Sequence, residues 1–145
     1  MNRDNTVASI MTKNAISVRS ATAIDEINTI FDNYKFHHLP VVDGGELKGM
    51  ISKSDYLKIR HMLAYALSGQ IGINDLYSTL RASDIMTSQP LCLEPSDTIG
   101  MAGEIFMANV IHALPVVEDG VFVGIITSHD LLAYVFHQLK GSGTK

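Results

Sequence analysis

The sequence predicts a mixed α/β fold built from two copies of one β-α-β-β-α unit, and three observations predict it. A displacement of 75 residues lays the string GMISKSD, Gly49 to Asp55, on GIITSHD, Gly124 to Asp130. The same displacement lays Ile10-Met11-Thr12 on Ile85-Met86-Thr87, His37 on His112, and Leu39-Pro40-Val41-Val42 on Leu114-Pro115-Val116-Val117, with no gap from residue 10 to residue 63. Within each copy the apolar period changes between that of a strand and that of a helix in one fixed order. A single register held that far is an internal duplication. It divides the chain into a first repeat at 1–66, a connector at 67–80, a second repeat at 81–140 and a frayed tail at 141–145.

Each element has a local cause. Ala15-Ile16-Ser17-Val18 alternates as a short strand, and Ile24, Ile27, Ile30 and Phe31 have the spacing of an amphipathic helix. Leu39 to Val42 is a buried β-branched run, Asp43-Gly44-Gly45 is a hairpin turn, and Leu47 to Ile51 returns as the second strand. A helix then runs from about Ser52 through Leu57 and Met62 to a stop near Ser68-Gly69. The second repeat predicts a strand at Leu91 to Leu93, a helix from Asp97 to about Asn109, a hairpin at Glu118-Asp119-Gly120 and a last helix ending near Gly141. Gly100 and Gly103 weaken the third of these helices by up to about 1 kcal/mol each relative to alanine.

Composition narrows the function classes. In 145 residues, 46% hydrophobic and 18% charged content describes an ordinary globular core, and a net charge of −4 leaves no cationic excess for a nucleic-acid backbone. The lone Cys92 excludes an internal disulfide, and the polar MNRDNTVAS opening does not read as a signal peptide, so a reducing, cytoplasmic location is expected. The apolar run Ile99 to Val117 is interrupted by Glu104, Asn109, His112 and Pro115, so no membrane span is expected.

The repeated string admits two readings. Ser52-x-x-Asp55 and Thr127-x-x-Asp130 have the spacing of a capping box, as does Thr22-x-x-Asp25. Alternatively the aspartate faces a ligand: a carboxylate accepts from the two hydroxyls of a ribose, while the amides and dipole of the same helix start favour a phosphate beside it.

An Ile-Met-Thr opening, a Leu-Pro-Val-Val strand, an Asp/Gly turn and a closing Gly-apolar-apolar-Ser/Thr-x-x-Asp, all occurring twice, make the chain resemble a tandem pair of cystathionine beta-synthase (CBS) domains over residues 7 to 139. The resemblance implies a disc-like module of two sheet-packed repeats with two clefts around a pseudo-twofold axis. It implies a regulatory, non-enzymatic sensor of AMP, ADP, ATP, S-adenosylmethionine or NAD, forming a homodimer and signalling to an unidentified protein partner. On that likeness Asp55 and Asp130 would bind ribose hydroxyls, and the flanking Ser52, Lys53 and Ser54, with Thr127, Ser128 and His129, would meet ribose or phosphate. The segments Thr12 to Ile16, including Ala15, and Thr87 to Leu91, including Pro90, would cradle adenine through main-chain groups. His38-Leu39-Pro40 and Ala113-Leu114-Pro115 would line the cleft floor.

The repeats differ where phosphate would lie. Lys53 matches Ser128 and Arg19 matches Glu94, so a phosphorylated ligand is expected to favour the site with Asp55 and Lys53. No metal, catalytic cofactor or catalytic residue is expected. Of six histidines only His37 and His112 match under the repeat, and no cysteine or HxxxH spacing accompanies them. Cys92 lacks a repeat-matched base, and no phosphate-binding glycine loop occurs. The rival reading is a constitutive interaction module that keeps the fold without a ligand and dimerises through its helices.

Overall fold

The computed structural model describes residues 4–66 and 79–142. The helix stop at Ser68-Gly69, residues 67 to 78 of the 67–80 connector and residues 143 to 145 of the 141–145 tail lie outside the described residues. Two compact units contain them: Ile16–Pro90, and Met1–Ala15 together with Leu91–Lys145. The class is mixed α/β, as the two periodicities predict. Each hairpin unit, however, holds the opening Ile-Met-Thr of the other repeat.

The first unit contains α1 (Ile24–Asn33), β1 (His38–Asp43), β2 (Glu46–Ser52), α2 (Lys53–Ala66), a single turn α3 (Ala82–Ile85) and a short strand β3 (Thr87–Ser88). β1 and β2 form an antiparallel hairpin from Asp43↔Glu46 to His38↔Ser52, and β3 adds to β2 at Met50↔Thr87 and Gly49↔Ser88. Gly44 and Gly45 carry the turn with φ of 56° and 84°, the left-handed geometry that a two-residue hairpin needs for its twist. The core joins Ile24, Ile27 and Phe31 of α1 to Leu39, Val41 and Ile51 of the hairpin, with Val18, Tyr56 and Ala82. Each large member contributes about 1.5–3 kcal/mol by leaving water.

The second unit contains α4 (Ile99–Ala108), β4 (Ala113–Glu118), β5 (Val121–Thr127) and α5 (Ser128–Ser142), preceded by a 3-10 turn at Val7–Ser9. Its hairpin repeats the register of the first, from Glu118↔Val121 to Ala113↔Thr127, and Asp119 and Gly120 make the turn with φ of 50° and 81°. Both hairpins shift register at the same place, leaving Lys48 or Val123 as the extra residue of a bulge just before Gly49 or Gly124. Val7 of the chain's opening segment is fully buried here with Leu93, Ala102, Leu114, Val116 and Ile126.

Three local expectations are corrected. The strands expected at Ala15–Val18 and Leu91–Leu93 shrink to single parallel bridges, Val18 to Val41 and Leu93 to Val116. The amide of Val18 donates to the carbonyl of Pro40 at 3.0 Å, and the amide of Val42 donates to that of Val18 at 2.7 Å. The next rung toward Ile16 would need an amide from Pro40, and proline has none; Pro115 stops the second repeat in the same way. Finally, Thr22-x-x-Asp25 forms no capping box. The hydroxyl of Thr22 accepts from the amide of Arg19 at 3.0 Å, and α1 starts after Ala23. In the second repeat Thr98 does cap its helix, accepting from the amide of Met101 at 3.1 Å.

Candidate functional site

Both copies of the repeated string fold as a strand end that runs directly into a helix. In the first, β2 ends at Ser52 and α2 begins at Lys53, whose amide donates to the carbonyl of His37 at 2.7 Å. In the second, β5 ends at Thr127, α5 begins at Ser128, and its amide donates to the carbonyl of His112 at 3.0 Å. The repeat-matched histidines thus act through their main chain, each fixing the entry angle of a helix. Among the described residues no group of three or more His, Cys, Asp or Glu side chains is placed to hold a metal ion.

The glycine of each string has a steric cause. A β-carbon on Gly49 would lie 2.5 Å from the sulfur of Met86 and 2.8 Å from the carbonyl oxygen of Thr87. One on Gly124 would lie 2.8 Å from the sulfur of Met11 and 2.9 Å from the carbonyl oxygen of Thr12. The Ile-Met-Thr openings therefore press against the strands that lead to the aspartates, Met86-Thr87 beside Asp55's strand and Met11-Thr12 beside Asp130's. Thr12 is locked there: its amide donates to the carbonyl of Ile125 at 2.8 Å and its carbonyl accepts from the amide of Ile125 at 3.0 Å. This exchange is invisible to periodicity, although the paired glycines are its trace in the sequence.

The aspartates are not equivalent. The amide of Asp55 donates to the hydroxyl of Ser52 at 3.0 Å, but among the described residues no hydrogen bond or ion pair engages the exposed Asp55 carboxylate. At the second string the bond is reciprocal: the amide of Asp130 donates to the hydroxyl of Thr127 at 3.1 Å, and the amide of Thr127 donates to the carboxylate of Asp130 at 2.9 Å. Asp130 is half-buried. The capping box is thus complete in the second repeat and half-formed in the first.

The remaining expected site residues divide by exposure. Ser54, His129, Thr12 and Thr87 are exposed, as is Leu91, while Ser52, Lys53, Thr127 and Ser128 are half-buried beside the aspartates. Ala15, Ile16, His38, Pro90 and Ala113 are also half-buried. Leu39 and Leu114 are buried to 0% and 1% exposure in the cores, and Pro40 and Pro115 are buried with them, so these four side chains serve packing. Desolvation raises the Cys92 thiol above its ordinary pKa, which opposes a reactive thiolate. A cavity of about 400 Å³ lies at the turn end of the second hairpin, away from Thr127, and is lined by Thr6, Ala8, Glu94, Pro95, Ser96, Glu118 and Asp119. Its charged groups are all carboxylates, which repel an anionic ligand.

Comparison with known proteins bears on this arrangement. The chain is 31% identical over 128 residues to a homoserine O-acetyltransferase of Methanocorpusculum labreanum, covering 87% of this chain but 23% of that protein. It spans only about a quarter to a third of the first curated relatives it matches. Among solved structures, CBSX2 in complex with AMP superposes with a TM-score of 0.77 at 27% identity, covering 94% of this chain and 98% of that one. The CBS domain pair of protein MJ0100, in complex with 5-methylthioadenosine and S-adenosylmethionine, superposes with a TM-score of 0.72 at 26% identity, covering 93% and 98%. The family model for the CBS domain matches at residues 7–61 and again at 82–137, the two copies that the displacement of 75 residues marks out, and the chain therefore belongs to the CBS domain family as a tandem pair.

Proposed function

We propose that the chain is a regulatory module that binds an adenosyl ligand at the Asp55 string and couples occupancy to association with a partner. The observation that carries this reading is the Asp55 carboxylate, exposed and unengaged among the described residues in the first turn of α2, with Ser52 and Lys53 beside it. A free carboxylate offers both oxygens to a ribose diol, and the ammonium of Lys53 supplies the charge that a phosphate requires. AMP and S-adenosylmethionine, the ligands named for the similar CBSX2 and MJ0100 structures, both present such a diol. Coupling requires only that the ligand bind one conformational state of the chain better than another.

Calorimetry and thermal shift with AMP, ATP, S-adenosylmethionine, 5-methylthioadenosine and NAD, with GMP as control, test the proposal. A ligand at a hundredfold excess over its dissociation constant stabilises by about 2.7 kcal/mol, a rise of several degrees in Tm for a chain of this size. Asp55→Ala abolishes that rise on this reading. Adenosyl binding that survives Asp55→Ala unchanged removes Asp55 from the site.

A second reading, self-association through a helix, is favoured by α5. Leu132, Phe136 and Leu139 lie on one stripe of it and are 66%, 56% and 65% exposed, with the Lys140 ammonium 5.2 Å from the Phe136 ring centre. Sedimentation of Phe136→Asp against the parent chain decides it. An unchanged mass in both rejects the stripe as a contact.

A further inference from the structure

We infer that Asp130 is committed to the cap of α5, so that the chain takes a single adenosyl ligand through the Asp55 string. The inference rests on the proposed function for its ligand, but its structural half stands independently. Two observations point the same way. First, the amide of Thr127 already occupies one oxygen of the Asp130 carboxylate at 2.9 Å, and the hydroxyl of Thr127 is bound in turn by the amide of Asp130 at 3.1 Å. A ribose diol donates two protons, and here it meets one free carboxylate oxygen and one already accepting from the amide at the start of a 15-residue helix, where the first string leaves both free among the described residues. Second, the string itself lacks its lysine. The position matched to Lys53 is Ser128, so within the second string a phosphate would find helix amides and no lysine.

The duplicated aspartates have accordingly parted roles. In the first repeat the acid is exposed, its cap bond runs in one direction only, and a lysine lies two residues before it. In the second the same acid is half-buried and tied back to its own strand end. Retention of aspartate at both positions therefore does not amount to retention of two binding sites.

The test pairs stability with binding and uses AMP as the probe. Asp130→Ala lowers Tm by about 3 °C, the loss of a cap in a chain this long, while Asp130→Asn, whose side-chain oxygen still accepts from the Thr127 amide, stays near the parent value. Asp55→Ala shifts Tm by much less. In calorimetry the parent chain takes about one AMP, Asp130→Asn keeps its affinity within about twofold, and Asp55→Asn loses tenfold or more. Two AMP per chain, or a tenfold loss in Asp130→Asn, overturns the inference. If no adenosyl compound binds the parent chain, the proposed function fails and the Tm comparison alone decides the role of Asp130: equal losses in Asp55→Ala and Asp130→Ala overturn its commitment to the cap.

Discussion

Gly49 lies so close to Met86 that a single added methyl group would fall 2.5 Å from the methionine sulfur and 2.8 Å from the next carbonyl oxygen. The sulfur sits on a flexible side chain and can swing away, but the Thr87 carbonyl is fixed by the pairing of β3 on β2. Gly49→Ala is expected to destabilise by about 1–3 kcal/mol, as overpacking of a tight interior does. Adding Met86→Ala relieves only the sulfur contact and restores only part of that loss. Urea midpoints of the single and double variants check both statements, and a neutral Gly49→Ala would refute the close approach.

Lys53 is the one charged difference inside the repeated string, matched by Ser128. Lys53→Ser is expected to weaken AMP by several-fold while leaving adenosine nearly unchanged, because only the phosphate needs the ammonium. Competition calorimetry gives the ratio of the two affinities. An unaltered ratio assigns phosphate recognition to helix amides alone.

Asp43, at the end of β1, accepts from both the hydroxyl and the amide of Ser20, the latter at 3.0 Å. The Ser20 hydroxyl first, then its amide, hold the Asp43 carboxyl below its ordinary pKa, with smaller help from Lys48 and Arg19 and with desolvation opposing. Because the folded value lies below the unfolded one, this stabilisation is complete above the unfolded carboxylate pKa of about 3.9 and drains away as pH falls below it. The stability gap between the parent chain and Asp43→Asn should therefore be widest near neutrality and shrink near pH 3. A gap that is constant with pH would contradict the assignment.

Val7 is 0% exposed although it stands near the start of the chain, and its amide donates to the carbonyl of Asp97 at 2.7 Å. Val7→Ala is expected to cost about 2 kcal/mol, a core-sized loss from two buried methyl groups. Hydrogen exchange should locate the loss in β4 and β5 of the second repeat, not in the first hairpin. Loss of protection in β1 and β2 instead would show that the opening segment supports its own repeat.

The sequence by itself determined the duplication, the helix-hairpin-helix order within each repeat, both hairpin turns and the strand ends at which Asp55 and Asp130 stand. These are short-range matters: an apolar period, an Asp-Gly or Gly-Gly pair and a hydroxyl three residues before an acid act through neighbours along the chain. Tertiary structure alone decided the rest. It laid Met86-Thr87 on Gly49 and Met11-Thr12 on Gly124, buried Leu39 and Leu114 in the cores, and let Pro40 and Pro115 cut the expected first strands to one bridge each. It also closed the capping box at Thr127 and Asp130 while leaving the Asp55 carboxylate exposed. Lys53 against Ser128 set the two strings apart in the sequence, but which aspartate closes its capping box could not be read there, because whether a carboxylate turns back to its own amide or out to solvent depends on a side-chain orientation that no local pattern records.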